Sequence, residues 1–225
     1  MKPPVVDYRE FRLSKLNDSR FSHLKWLFGW IFYFAAFFLT EILIPVEKCH
    51  VIHSPLDDLI PFCEYFVIPY VLWYALIVGS LGYFLFYNVA SFVKLQKYFI
   101  LTQVIAVIVY IVYPSCQNLR PESFANDNVF TALVGLLYSV DTNTGVCPSV
   151  HCIYSIGIAS VWLKEHGISK GFKTFIVVLA VLICLSTVFI KQHSVIDFVA
   201  AIPVCFLAEF LVFRKPHRHR SEINE

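Results

Sequence analysis

His193 and Asp197 stand four residues apart in the segment Lys191-Gln192-His193-Ser194-Val195-Ile196-Asp197. On a helix such a pair shares one face. The carboxylate can then take the Nδ1 hydrogen and hold the ring in one tautomer. An imidazole held this way presents its other nitrogen as an aimed, unprotonated nucleophile. A second imidazole, His151, lies in Cys147-Pro148-Ser149-Val150-His151 and can protonate a departing alkoxide. Arg120, in Asn118-Leu119-Arg120-Pro121, offers the planar, two-pronged geometry that suits phosphate oxygens. Pro148 and Ser149 at a helix start add amide donors and a positive dipole end where an anion would rest. The chemistry these groups share is phosphoryl transfer. No acidic cluster suited to Mg²⁺ accompanies them, so the expected mechanism uses neither metal nor cofactor. Acyl transfer by a Ser-His-Asp set is the rival, with Ser149 or Ser194 as nucleophile, but neither serine lies in a nucleophile elbow. Each piece alone has a plainer reading: a hydrogen-bonded interfacial histidine, or an arginine touching lipid headgroups.

Those residues are far apart, 31 positions from Arg120 to His151 and 42 from His151 to His193, so the elements between them must bring them together. Composition says what those elements are. Hydrophobic residues make up 58% of the 225 and charged residues 15%, against roughly 45–50% and 25% in soluble domains. Such a chain cannot cover itself with polar surface, and a net charge of +2 is too small to imply a polyanionic partner. A soluble globule, a disordered tail and a nucleic-acid-binding domain are poor fits. Six runs are long and apolar enough to read as spans: Leu24–Ile44, Phe62–Tyr87, Tyr98–Tyr113, the shorter Ser149–Leu163, Phe172–Ile190 and Ile196–Phe213. They lack period-2 alternation, so they read as helices rather than barrel strands. Two weaker segments, Val51–Ile60 and Val129–Val140, read as lying in the interface. The fold class expected is all-α, a polytopic membrane protein.

The basic residues fix an expected orientation. Fifteen of the 18 Lys and Arg fall on one side of this topology: Lys2, Arg9, Arg12, Lys15, Arg20 and Lys25; Lys94 and Lys97 in a turn; Lys164, Lys170 and Lys173; and Arg214, Lys215, Arg218 and Arg220. Lys48, Arg120 and Lys191 fall on the other. The positive-inside rule then puts both termini in the cytoplasm and the chemistry-bearing segments on the extracytoplasmic face. The chain divides into an N-terminal tail (1–23), a six-helix membrane domain (24–213, with the site drawn from 114–197) and a basic C-terminal tail (214–225). The first span is too long for a signal-peptide core and no small-residue cleavage site follows it, so it is expected to stay. Seven scattered cysteines show no metal spacing. A Cys49–Cys63 disulfide competes with buried free thiols.

Arg-Pro, then Pro-Ser-x-His, then Ser…His-x-x-x-Asp resembles the type-2 phosphatidic acid phosphatase (lipid phosphate phosphatase) superfamily, whose pattern is KxxxxxxRP, PSGH and SRxxxxxHxxxD on six membrane helices. Arg120 and Pro121 match the first block, Pro148, Ser149 and His151 the second, and Ser186, His193 and Asp197 the third. The resemblance covers about residues 98–213. Tyr113, Val150 and Thr187 stand where the pattern has Lys, Gly and Arg. Lys191, two residues before His193, is our own candidate for a replacement cation. A bulky residue at the x of Pro-Ser-x-His is also similar to the branch containing inositol-phosphoryl and choline-phosphoryl ceramide transferases.

The resemblance implies a His193 nucleophile, a phosphohistidine intermediate, His151 as general acid with Asp197 orienting His193, and a phosphate site at Arg120 and Ser149. The activity expected is a lipid phosphatase acting on a phosphate monoester or diphosphate of a lipid. Two alternatives stay open: a phosphotransferase that passes the headgroup to a lipid alcohol, and an inactive relative that binds or transports lipid. The partners expected are a lipid phosphate and the bilayer, with no nucleic acid.

Overall fold

The computed structural model describes residues 4–214. Lys2 and all of the C-terminal tail beyond Arg214, including Lys215, Arg218 and Arg220, lie outside the described residues. The fold is all-α and polytopic. Among the described residues there are eight α-helices: α1 (Phe28–Leu43), α2 (Pro55–Leu59), α3 (Val67–Tyr87), α4 (Val89–Val112), α5 (Val129–Val140), α6 (Val150–Lys164), α7 (Lys170–Phe189) and α8 (Val195–Phe213). Five helical stretches are long and apolar enough to cross a bilayer: Ser22–Leu43, Glu64–Tyr87, Val89–Val112, Lys170–Phe189 and Val195–Phe213.

One boundary departs from the sequence reading. Lys94 and Lys97 do not sit in a turn; they lie in the first turns of α4, which starts at Val89. Asn88 alone separates α3 from α4, and its Oδ1 accepts the Ser91 amide at 3.1 Å. The two lysines keep their charge at the helix end by lying over aromatic faces, Lys97 over Trp26 (5.2 Å) and Lys94 over Phe213 (6.0 Å). Long basic side chains snorkel in this way.

The short helix α6 is the hub. Fifteen residues rise about 22 Å, less than a hydrocarbon core of ~30 Å. Nine of them are buried, packed against α3, α4, α7 and α8. Its backbone is therefore enclosed by protein, where a helix may start part-way through a membrane without exposing polar groups to lipid. The fit is close: a Cβ on Gly157 would come within 2.2 Å of the Tyr98 ring.

The weaker segments form the short helices α2 and α5, each with an N-terminal capping box, Ser54 with Asp57 and Asn128 with Thr131. Two-residue strands β1 (His50–Val51) and β2 (Ser115–Cys116) pair in parallel and tie the loop after α1 to the loop after α4. All seven cysteines are free, Cys49 and Cys63 included.

Candidate functional site

The start of α8 builds the first half of the site. Ser194 is its N-cap, and Asp197 closes the capping box by accepting the Ser194 amide at 3.0 Å. The same oxygen, Asp197 Oδ2, lies 3.1 Å from His193 Nδ1. With the Nδ1 hydrogen committed to this carboxylate, the neutral ring carries its lone pair on Nε2. His193 is 7% exposed and Asp197 fully buried. Burial would pull the His193 pKa down, but the hydrogen bond and charge of Asp197, with the Asp141 charge nearby, outweigh it and raise the pKa above the usual imidazole value.

The second half is the start of α6. Ser149, fully buried, donates its amide to the Asp197 carbonyl at 3.1 Å, which locks the beginnings of α6 and α8 together. No side chain caps α6, and the first amides of a helix have no acceptor within it. Two residues along, His151 is held between the rings of Trp73 (4.2 Å) and Tyr70 (4.5 Å). Its ring centroid lies 5.5 Å from that of His193, with the planes inclined at 63°.

Unpartnered atoms concentrate here. Among the described residues, six buried side-chain polar atoms lack a partner, and four belong to this site: Ser149 Oγ, His151 Nε2, Asp197 Oδ1 and Trp73 Nε1. Buried polar groups are nearly always satisfied, so such a cluster calls for a ligand or solvent. His151, His193 and Trp73 line a cavity of about 580 Å³ that also takes in Asp141 and Gln192 and runs down an apolar wall between α1 and α3.

The sequence-predicted residues are thus divided. His193, Asp197, His151 and Ser149 come together. Arg120 comes to the edge but not into the cavity: its Nε donates to Gln192 Oε1 (2.8 Å), Nη1 to the Tyr138 carbonyl (3.1 Å) and Nη2 to the Asp141 carbonyl (2.7 Å). It braces two cavity residues from behind. Lys191, the candidate replacement cation, does not line the cavity. It adopts a left-handed backbone, φ 57°, and its ammonium donates to the carbonyls of Asp57 (2.6 Å) and Ile60 (2.5 Å) at the far side of α2. Open carbonyls at a helix C-terminal end attract a cation.

Sequence reasoning missed Asp57, Asp141 and Gln192. The Asp57 carboxylate accepts the Ser194 hydroxyl (2.6 Å), the Val195 amide (2.8 Å) and the Ser54 amide (2.8 Å). The capping-box spacing from Ser54 to Asp57 was its only local signal. Asp141 Oδ2 accepts from the Tyr70 hydroxyl (2.7 Å) and Gln192 Nε2 (3.0 Å).

This placement predicts how Lys191→Ala behaves. It removes the donor from the buried Asp57 carbonyl and the half-buried Ile60 carbonyl, at about 1–3 kcal/mol, so the thermal midpoint of the purified protein should drop by several degrees. The affinity for inorganic phosphate as an inhibitor should follow the folded fraction alone. Weakened phosphate inhibition at an unchanged midpoint would return Lys191 to the anion site. Comparison of the chain with protein-family models, curated proteins and solved structures finds no match.

Proposed function

We propose that this protein is a membrane-embedded lipid phosphatase that works through a phosphohistidine on His193, with its site on the extracytoplasmic face. The observation that carries the reading is the unpartnered His151 Nε2 beside the Asp197-oriented His193, at the uncapped start of α6. His193 Nε2 attacks phosphorus, and the bond to the lipid oxygen breaks as His151 gives that oxygen a proton. The first amides of α6 face the charge on the phosphoryl oxygens. Water then attacks the phosphohistidine, His151 takes its proton, and inorganic phosphate leaves with His193 restored. Arg120 serves as a positioning residue through Gln192 and the Asp141 carbonyl.

A second reading, transfer of the headgroup to a lipid alcohol, is favoured by one observation: among the described residues lining the cavity there is no Lys or Arg. A phosphate dianion would find only the histidines and helix amides for neutralisation, whereas a diester carries one charge fewer. Purified protein given labelled phosphatidate, with and without a lipid alcohol, tests both. Free phosphate supports the phosphatase, a new phosphorylated lipid supports transfer, and neither product across lipid substrates would leave an inactive lipid-binding relative.

A further inference from the structure

A second cavity, of about 620 Å³, lies on the other face of α6 from His151 and shares no lining residue with the histidine cavity. Both α7 and α8 pack on α6 but hardly on each other, which leaves a groove with α6 as its floor and the other two helices as its walls. Small side chains at Ala159, Ala180 and Cys184 give it depth. Its α7 wall runs from Val177 to Phe189, about 18 Å at the rise of a helix, a little over half of a hydrocarbon core of ~30 Å. Apart from the Cys184 thiol, hydrogen-bonding side chains among the described lining residues occur at one end only, Ser160 and Lys164. There Glu209 of α8 accepts the Ser160 hydroxyl at 2.6 Å and pairs with the Lys164 ammonium at 2.5 Å. Lys164 also reaches the Ser160 hydroxyl and lies over the Phe213 ring at 4.5 Å. Ionisable groups at the edge of the hydrocarbon are costly to place, and apolar side chains would tie α6 to α8 equally well.

We infer that this groove binds a sterol, a rigid lipid alcohol whose hydroxyl meets the Glu209–Lys164 pair and whose ring body lies along α7. Charge and the count of polar groups choose the occupant. An anionic headgroup would meet the Glu209 carboxylate beside a cation that is already paired. A single neutral hydroxyl suits both partners: Glu209 keeps lone pairs to accept its hydrogen, and the Lys164 ammonium can donate to its oxygen. A diacylglycerol or a ceramide brings ester or amide groups as well. Away from the pair the groove offers those groups no partner, and each buried polar group left unpaired is unfavourable. A lipid whose one polar group is its hydroxyl leaves nothing unsatisfied. A fused-ring body also forfeits less conformational freedom than a flexible chain alcohol of similar length on entering a groove already formed. The inference does not depend on the phosphoryl-transfer reading, because the two cavities are separate.

Photolabelling of the purified full-length protein tests this, in nanodiscs of dioleoylphosphatidylcholine that carry a small fraction of a diazirine-bearing cholesterol. Labelled peptides should map to α6, α7 and α8 around Ala159, Val181 and Phe198. Unlabelled cholesterol should compete. Its 3-O-methyl ether has the same body but no hydrogen to donate, and should compete roughly tenfold to a hundredfold less well, the range for a hydrogen bond to a charged group. Val181→Phe, at an exposed position on the groove wall, should abolish the labelling with an unchanged thermal midpoint. The ether comparison is made on the wild-type protein, so it decides the matter even if that variant fails to fold. Labelling spread over the outer faces of α1 and α3 would overturn the inference. So would equal competition by the methyl ether or by dioleoylglycerol, or undiminished labelling of a folded Val181→Phe.

Discussion

His193→Ala should form no phosphoenzyme with any substrate, and its turnover should fall by about 10⁴-fold or more, the scale seen when a covalent nucleophile is removed. The bond that fails to form is nitrogen to phosphorus, so the measurement is an acid-labile, base-stable label on the rapidly quenched protein. Asp197→Asn should lie between wild type and His193→Ala. The amide keeps the reach to Nδ1 but no longer enforces the tautomer that frees Nε2. The same carboxylate sets the pH dependence. The His193 pKa is raised: burial alone would lower it, and Asp197 more than compensates. Only the neutral ring attacks, so activity should climb with pH through a value above the ordinary imidazole pKa of about 6.5. In Asp197→Asn that limb should move to lower pH, because the opposing burial remains and the raising charge has gone. A label that persists in His193→Ala would make His151 the nucleophile.

His151→Ala should separate substrates by their leaving groups. An aliphatic alkoxide needs a proton as it departs, and losing the acid should cost about 10²–10⁴-fold. A p-nitrophenolate leaves unaided, so the variant should still be phosphorylated by an aryl ester at a rate near that of wild type, then release the phosphoryl group slowly, since His151 also takes the proton from water in the second step. Burst kinetics with the aryl ester report both halves in one trace. Equal losses on the alkyl and aryl esters would mean that His151 shapes the cavity between Trp73 and Tyr70 instead of moving a proton.

How much of this could be read from the chain differs from residue to residue. The long apolar runs mark their own helices, because a bilayer leaves the backbone no other economical arrangement. The error at the start of α4 has a local cause: Lys94 and Lys97 read as loop residues, yet a lysine stem lies along a helix with its charge over Trp26 or Phe213. His193 with Asp197 was legible from their four-residue spacing, although His193 lies just before the N-cap Ser194 and meets Asp197 through the turn that the capping box closes. The directions of Arg120 and Lys191 were not, since the groups they meet lie far along the chain: Lys191 meets carbonyls 131 and 134 positions away, and Arg120 meets Gln192 at 72. A charge in a loop shows that a cation is present; only the packed neighbours decide which acceptor takes it. Asp141 was invisible for the same reason, since Tyr70 and Gln192 hold it from 71 and 51 positions away.

The bond between Asp57 and the start of α8 bears on the order in which the protein is made. Asp57 emerges early in synthesis, and Ser194 and Val195 emerge 137 and 138 residues later. Until they arrive, this carboxylate has only the Ser54 amide within its own capping box and must stay in contact with water, because an ionised group cannot enter apolar surroundings unpaired. Insertion of the last helix therefore does two things at once: it buries Asp57 and it places His193 beside His151. A nascent chain stopped before residue 193 lacks both His193 and the Ser194 and Val195 donors to Asp57, so the site and the seat of α2 wait for the same segment.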